Sequence, residues 1–319
     1  MIRSMMDNEI WKKELELMRD QEHFEKVWNI VRSTLDNSIN SYLDSIVFSN
    51  PVLKPRDSFN LHVKKLIDEH SIFQDKYAEL FSPEKMEEYE MDVDGFKGDV
   101  LSKRCDTIRV ALNSKAEALK DWRILYQQAA PQKLYDTFYN MICFAEEYKE
   151  TMTEEMIDKI DSIKENGLSQ MEEDSCYLGG VIGTGILSNI LNAIYPRLFP
   201  GTFKVGMFSL YFLSGRRAIE MGSGSSEFLM IKDDVKSKTG IIETEYNYYY
   251  PYETFALFTL RIFRSLDKAV IERFGIKFPV EYRYVLTNDF YRYIFEQNKE
   301  YIQTLLGNDD ILKFQQIPY

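Results

Sequence analysis

Apolar side chains recur at intervals of three and four along most of the first half of this chain. From Asn8 to about Ser38, Trp11, Leu15, Met18, Phe24, Val27, Trp28 and Val31 fall on one stripe. Burying one face of an α-helix satisfies such a stripe, whereas a strand would need strict alternation. A second run spans about Gly98 to Gln128, with Val100, Leu101, Ile108, Val110, Ala111, Leu119 and Trp122. Ala130-Pro131 ends it and opens a third, carried by Leu134, Phe138, Met141, Ile142 and Phe144. Asn50-Pro51 and Lys54-Pro55 mark a break. Thr151 with Glu154 reads as a capping box, and Gly167 as a helix stop. Residues 1–170 are therefore predicted to form an acidic helical bundle of roughly five or six helices.

The composition changes near residue 175. Fourteen of the 21 tyrosines follow that point, and glycines cluster between 179 and 240. Two strand-like stretches, Glu227–Lys232 and Ile241–Tyr248, flank a polar turn at Lys238-Thr239-Gly240. Pro251 opens a helix through Phe255, Leu257, Phe258, Ile262, Phe263, Leu266 and Val270, which Gly275 ends. A last helix is expected from an Asn288 cap to Gly307. The fold class expected is mainly α: an N-terminal helical bundle at 1–170, then a Tyr-rich α+β C-terminal half at 171–319. That half carries a small β-hairpin and a separate Gly-rich hairpin.

Several functions are excluded by what the chain does not contain. No apolar stretch approaches the ~18 residues of a membrane span, and no membrane association is expected. The opening residues lack the apolar core of a secretory signal. Cys105, Cys143 and Cys176 are scattered and form no CxxC pair, so buried free thiols in a reducing, cytoplasmic setting are expected. The only histidines are His23, His62 and His70. Ser-His-Asp hydrolase, HExxH protease and His-Cys zinc deaminase chemistries are thus unsupported. No GxxxxGK[ST] occurs, and Gly180-Val-Ile-Gly183-Thr-Gly185 follows a helical pattern, which argues against a dinucleotide turn. No cofactor, no metal ligand set and no catalytic residue are assigned.

Charge is unevenly placed. Residues 1–174 hold 23 basic and 36 acidic residues, a net of −13, while 175–196 hold none of either. Residues 197–238 hold seven basic against four acidic, a net of +3. A polyanion would be repelled by the first zone and tolerated only by the last.

Just before that basic zone, Leu178-Gly-Gly-Val-Ile-Gly183-Thr-Gly185-Ile-Leu-Ser-Asn-Ile190-Leu191 resembles a helix-hairpin-helix element, over about 170–195 only. The resemblance implies phosphate contact by backbone N–H groups at Gly183, Thr184 and Gly185. Thr184 and Asn189 depart from the pattern, and the hairpin carries no cation. Some DNA glycosylases follow a similar hairpin with a catalytic Asp, yet no acid stands between Gly185 and Glu220 here. Lys204, Arg216 and Arg217 would complete a nucleic-acid-binding surface.

Two alternatives remain beside it. Asp234-Val-Lys236, with Glu220 or Glu227 upstream, fits the carboxylates and lysine of a Mg²⁺-dependent PD-(D/E)xK nuclease. Glu243 and Glu245, and the Tyr246–Tyr252 run, read more simply as a solvent-facing pair and as packing aromatics. Ile194–Pro200 and Tyr249–Ala256 are similar to segments of prokaryotic proteins found near restriction-type ATPases, which implies a defence or restriction-type assembly. The leading expectation is a non-catalytic interaction subunit with a protein partner, touching a polyanion or that partner through 178–217.

Overall fold

In the computed structural model, the described residues are 9–115, 119–201, 203–222, 224, 226–228, 231–232, 243–244 and 250–306. They form a mainly α-helical molecule. The N-terminal half holds α1 (Glu9–Met18), α2 (Gln21–Ser49), α3 (Pro55–Phe81), α4 (Pro83–Tyr89), α5 (Asp106–Asn113), α6 (Lys120–Gln128), α7 (Pro131–Thr151) and α8 (Glu154–Lys159). The second half holds α9 (Thr184–Ile194), α10 (Phe203–Leu213), α11 (Tyr252–Phe274), α12 (Arg283–Gln297) and α13 (Lys299–Leu306).

The second half corrects the α+β expectation. The strand pairing among the described residues is a two-residue antiparallel ladder, Ile231 with Thr244 and Lys232 with Glu243. Much of the rest of the two expected strands, with Asp234 and Lys236 between them, Glu245 and most of the tyrosine run, lies outside the described residues. Helices α9 to α13 supply the core, so the described part of this half is helical and not a mixed layer.

The stripe from Asn8 to Ser38 is two helices. Asp20 stops the first and caps the second, its carboxylate accepting from the His23 N–H at 2.8 Å. The second helix then runs past Ser38 to Ser49, burying Phe24, Val27, Trp28, Val31, Leu35, Ile39, Tyr42, Leu43 and Ile46. The run from Gly98 to Gln128 is likewise divided. A π-helical stretch, Phe96–Arg104, precedes α5, and Cys105 between them bonds back to the Val100 carbonyl at 2.9 Å. The cap of α8 is Thr153, which accepts from the Met156 N–H, while Thr151 is the last residue of α7. Gly275 ends α11 as expected.

One apolar core extends from Met18 to Ile302 and crosses residue 170 without interruption. Helix α2 packs on α3, α10, α11 and α12. The Phe24 and Phe258 rings meet at 4.3 Å. Arg261 of α11 makes two hydrogen bonds to Glu25, at 2.7 and 2.8 Å, while its guanidinium lies 4.8 Å from the Phe24 ring. Each large apolar side chain so buried contributes about 1.5–3 kcal/mol. Helix α10 comes so close to α11 that a Cβ on Gly206 would stand 2.6 Å from the Phe255 ring, which requires glycine there.

The three cysteines do not share one environment. Cys105 and Cys176 are buried, and burial pushes the Cys105 thiol up to about 11. Cys143 is exposed on α7, contrary to the expectation of a third buried thiol.

Candidate functional site

The sequence nominates Gly183, Thr184, Gly185, Lys204, Arg216 and Arg217, and the structure distributes them over three places. The hairpin is present. Leu178 and Ile182 exchange backbone hydrogen bonds at 2.9 Å, with Gly179 and Gly180 at its tip. Its position is held by Trp122 of α6, whose indole N–H donates to the Val181 carbonyl at 2.7 Å. The position that needs glycine is Gly180, at φ +71°. Gly183 is the N-cap of α9 in an ordinary extended conformation, and an added Cβ on Gly185 would meet nothing within 4 Å. Before the hairpin stands a 3-10 turn, Ser169–Glu172, where a helix-hairpin-helix has an α-helix.

Lys204 lies in the first turn of α10, whereas Arg216 and Arg217 follow its last residue, Leu213. The length of the helix, on the order of 14 Å at 1.5 Å per residue, separates them. Both arginines are exposed. Arg216 has a left-handed backbone, φ +61°, and its N–H bonds back to the Tyr211 carbonyl at 2.8 Å. Its guanidinium lies 4.8 Å from the Tyr301 ring. There it lines a cavity of about 420 Å³ together with Thr34, Ser38, Phe212, Ile294 and Asn298. Two helices end at this cavity, α10 at Leu213 and α12 at the Asn298 cap. Helix C-termini carry partial negative charge, so Arg216 first neutralises carbonyl dipoles here. That geometry does not favour an anion inside the cavity.

The acidic candidates are differently employed. Glu227 is fully buried, with His23 Nε2 at 2.5 Å from one carboxylate oxygen and the Tyr250 hydroxyl donating to the other at 2.9 Å. Glu220, also in a left-handed conformation at φ +57°, accepts from the Lys26 amine at 3.2 Å on the surface. Asp234 and Lys236 lie outside the described residues. No group of three or more His, Cys, Asp or Glu side chains able to hold a metal ion occurs among the described residues.

A second carboxylate cluster joins three helices. Asp289 of α12 accepts from the Tyr42 hydroxyl of α2 at 2.6 Å and lies 2.8 Å from His62 Nε2 of α3. Burial raises the pKa of this carboxyl, but His62, Tyr42 and Arg292 together hold it below the usual value. His70 is buried with neither ring nitrogen in a hydrogen bond among the described residues, and burial lowers it to about 4. It is therefore a neutral core group. Arg283, at 0% exposure, gives one nitrogen to Glu154 and leaves Nε and Nη1 without partners among the described residues. Sequence spacing gives no hint of these clusters, because their members stand up to 247 residues apart.

A different feature is exposed. The last turn of α2 presents Phe48 at 74% exposure, and the turn to α3 presents Val52 at 95% and Leu53 at 40%. A β-turn, Leu53 N–H to Asn50 carbonyl at 3.0 Å, fixes the last two side chains at its edge. The sequence signal was present in two apolar residues confined between Pro51 and Pro55. No helix among the described residues is long and apolar enough to cross a membrane. No family model, no curated protein and no solved structure matches this chain.

Proposed function

We propose that the chain is a non-catalytic interaction subunit of a cytoplasmic complex, with the turn between α2 and α3 as its point of attachment. The observation that carries this reading is the outward display of Phe48, Val52 and Leu53. Apolar side chains grouped on one tip, rather than scattered singly, support contact with a second protein. The test is affinity purification from the native host after nuclease treatment, with wild type beside a Phe48→Ser/Val52→Asp variant. A stoichiometric partner lost in the variant supports the reading. A wild-type monomer that retains no partner overturns it.

A second reading, association with nucleic acid in a defence or restriction-type assembly, is favoured by the exposed Arg216 and Arg217 beyond α10. It predicts affinity that falls steeply with salt and is lost in Arg216→Glu/Arg217→Glu. Its weak point is the distance of Lys204 along α10. A Mg²⁺ nuclease would need Glu220 or Glu227 free for a metal. Glu227 is occupied by His23 and Tyr250, which leaves that alternative with Glu220 and with Asp234 and Lys236 outside the described residues.

A further inference from the structure

We infer that the turn between α2 and α3 receives an acidic amphipathic segment of a partner protein; the inference rests on the interaction-subunit reading above. The argument begins with a local reversal of charge. Residues 1–174 carry a net charge of −13, yet residues 48–56 contain Lys54 and Arg56 and no acid, the next being the exposed Asp57 in the first turn of α3. Both cations are exposed, and among the described residues neither side chain takes part in an ion pair or hydrogen bond. This distinguishes them from Lys26, Lys76, Arg104 and Arg273, each of which sits against a carboxylate. The positive end of the α3 dipole lies at the same place, where Lys54 as N-cap supplies no acceptor and Asp57 is the one acid of the first turn.

Three apolar side chains beside two unpaired cations define the complement: apolar anchors flanked by carboxylates. A basic partner would gain the apolar contacts but meet Lys54 and Arg56. A broadly anionic surface would meet the acidic remainder of the molecule once it extended beyond the tip. A short acidic segment, anchored by apolar side chains, avoids both repulsions.

The test uses the full chain and two defined probes, helical peptides of about five turns with leucine on one face. One carries glutamate on its other face and the other carries lysine. Fluorescence anisotropy at low and high salt is expected to show binding of the glutamate probe alone, weakening as salt screens it. Val52→Asp/Leu53→Asp should reduce that binding at least about tenfold. Lys54→Glu/Arg56→Glu should reverse the preference in favour of the lysine probe. All four positions are exposed, and circular dichroism checks that each variant remains folded. Equal binding of both probes, or glutamate-probe binding indifferent to these variants, overturns the proposal. If the glutamate probe fails while tip-dependent capture of a native partner persists, the charge assignment falls and the interaction reading stands. Light scattering that shows a dimer dissolved by Val52→Asp/Leu53→Asp would make the occupant a second copy and overturn the proposal. Tip-dependent binding of phosphatidylserine vesicles without the glutamate probe would overturn it in favour of a lipid surface.

Discussion

Replacing His70 with phenylalanine should make the protein less sensitive to mild acid. The imidazole is buried on α3, with the Tyr282 ring edge-on at 6.1 Å and the end of α9 beside it. Burial lowers its pKa from 6.5 to about 4, against a smaller opposing effect from the backbone of Ala193 and Asn192. Between those values the unfolded chain binds a proton that the folded chain refuses. Stability therefore rises with pH through this window and is lost as pH falls from 6.5 toward 4. Each pH unit within it is worth about 1.4 kcal/mol, so going from pH 7.5 to pH 5 should cost the wild type roughly 2 kcal/mol through His70 alone. Glu25, Asp106 and Asp289, held low by their partners, and Glu253 and Asp267, raised by burial, titrate in both proteins and cancel in the difference. Urea unfolding of wild type and His70→Phe at the two pH values measures that difference, with His70→Leu as a second variant should the larger ring crowd the core. Equal loss of stability on acidification in all three proteins would refute the assignment of His70 as a neutral core group.

Three further outcomes follow from buried polar groups and from close approach. Glu154→Gln should destabilise by about 3 kcal/mol, because it leaves Arg283 buried without its charge partner, whereas Arg283→Met should be near neutral; chemical denaturation of the two compares them directly. Tyr250→Phe and Tyr42→Phe should each cost about 1 kcal/mol by removing one donor from Glu227 and Asp289, read from the same unfolding curves. Gly206→Ala should cost about 1–3 kcal/mol by driving a methyl into Phe255, while Gly185→Ala should be neutral or stabilising in thermal melts.

The parts of this fold that depend on period are legible in the sequence, and the parts that depend on single polar contacts are not. The stripe through Phe24, Val27, Trp28 and Val31 gives the buried face of α2 because burial alone sets it. The same stripe hides the break at Arg19-Asp20, since Met18 and Phe24 are both buried on either side of a cap formed by one carboxylate. Asn288 reads as a helix cap by residue type. It lies inside α12 instead, fully buried, because its amide donates to the Asn192 side chain at 2.9 Å, 96 residues away. The Gly-rich hairpin is legible as a turn, yet residue type alone favours Gly183 and Gly185 over Gly180, where the backbone makes the demand. The expectation of an α+β half has the same origin: alternation around 227–248 is a property of the residues, while helices on either side fill the core.

The buried polar groups also show how several carboxylates of the described residues are employed. Glu227 bonds to His23 across 204 residues, Asp289 to His62 across 227, and Arg261 to Glu25 across 236. Each of these contacts ties α2 or α3 to the second half of the molecule. A carboxylate already accepting from two donors, as Asp289 does, is held in its ionised form and has little affinity left for a substrate proton. Removing such a contact should therefore be read out as lost stability. On the surface, Phe48, Val52, Leu53, Lys54 and Arg56 stand together at the turn between α2 and α3, while Ile72 and Met91 are exposed elsewhere. An apolar tip with its own positive charge on an acidic molecule has nothing internal to stabilise. On the reading proposed above, its apolar side chains and cations are spent on a second molecule, and the sign of that charge selects which one.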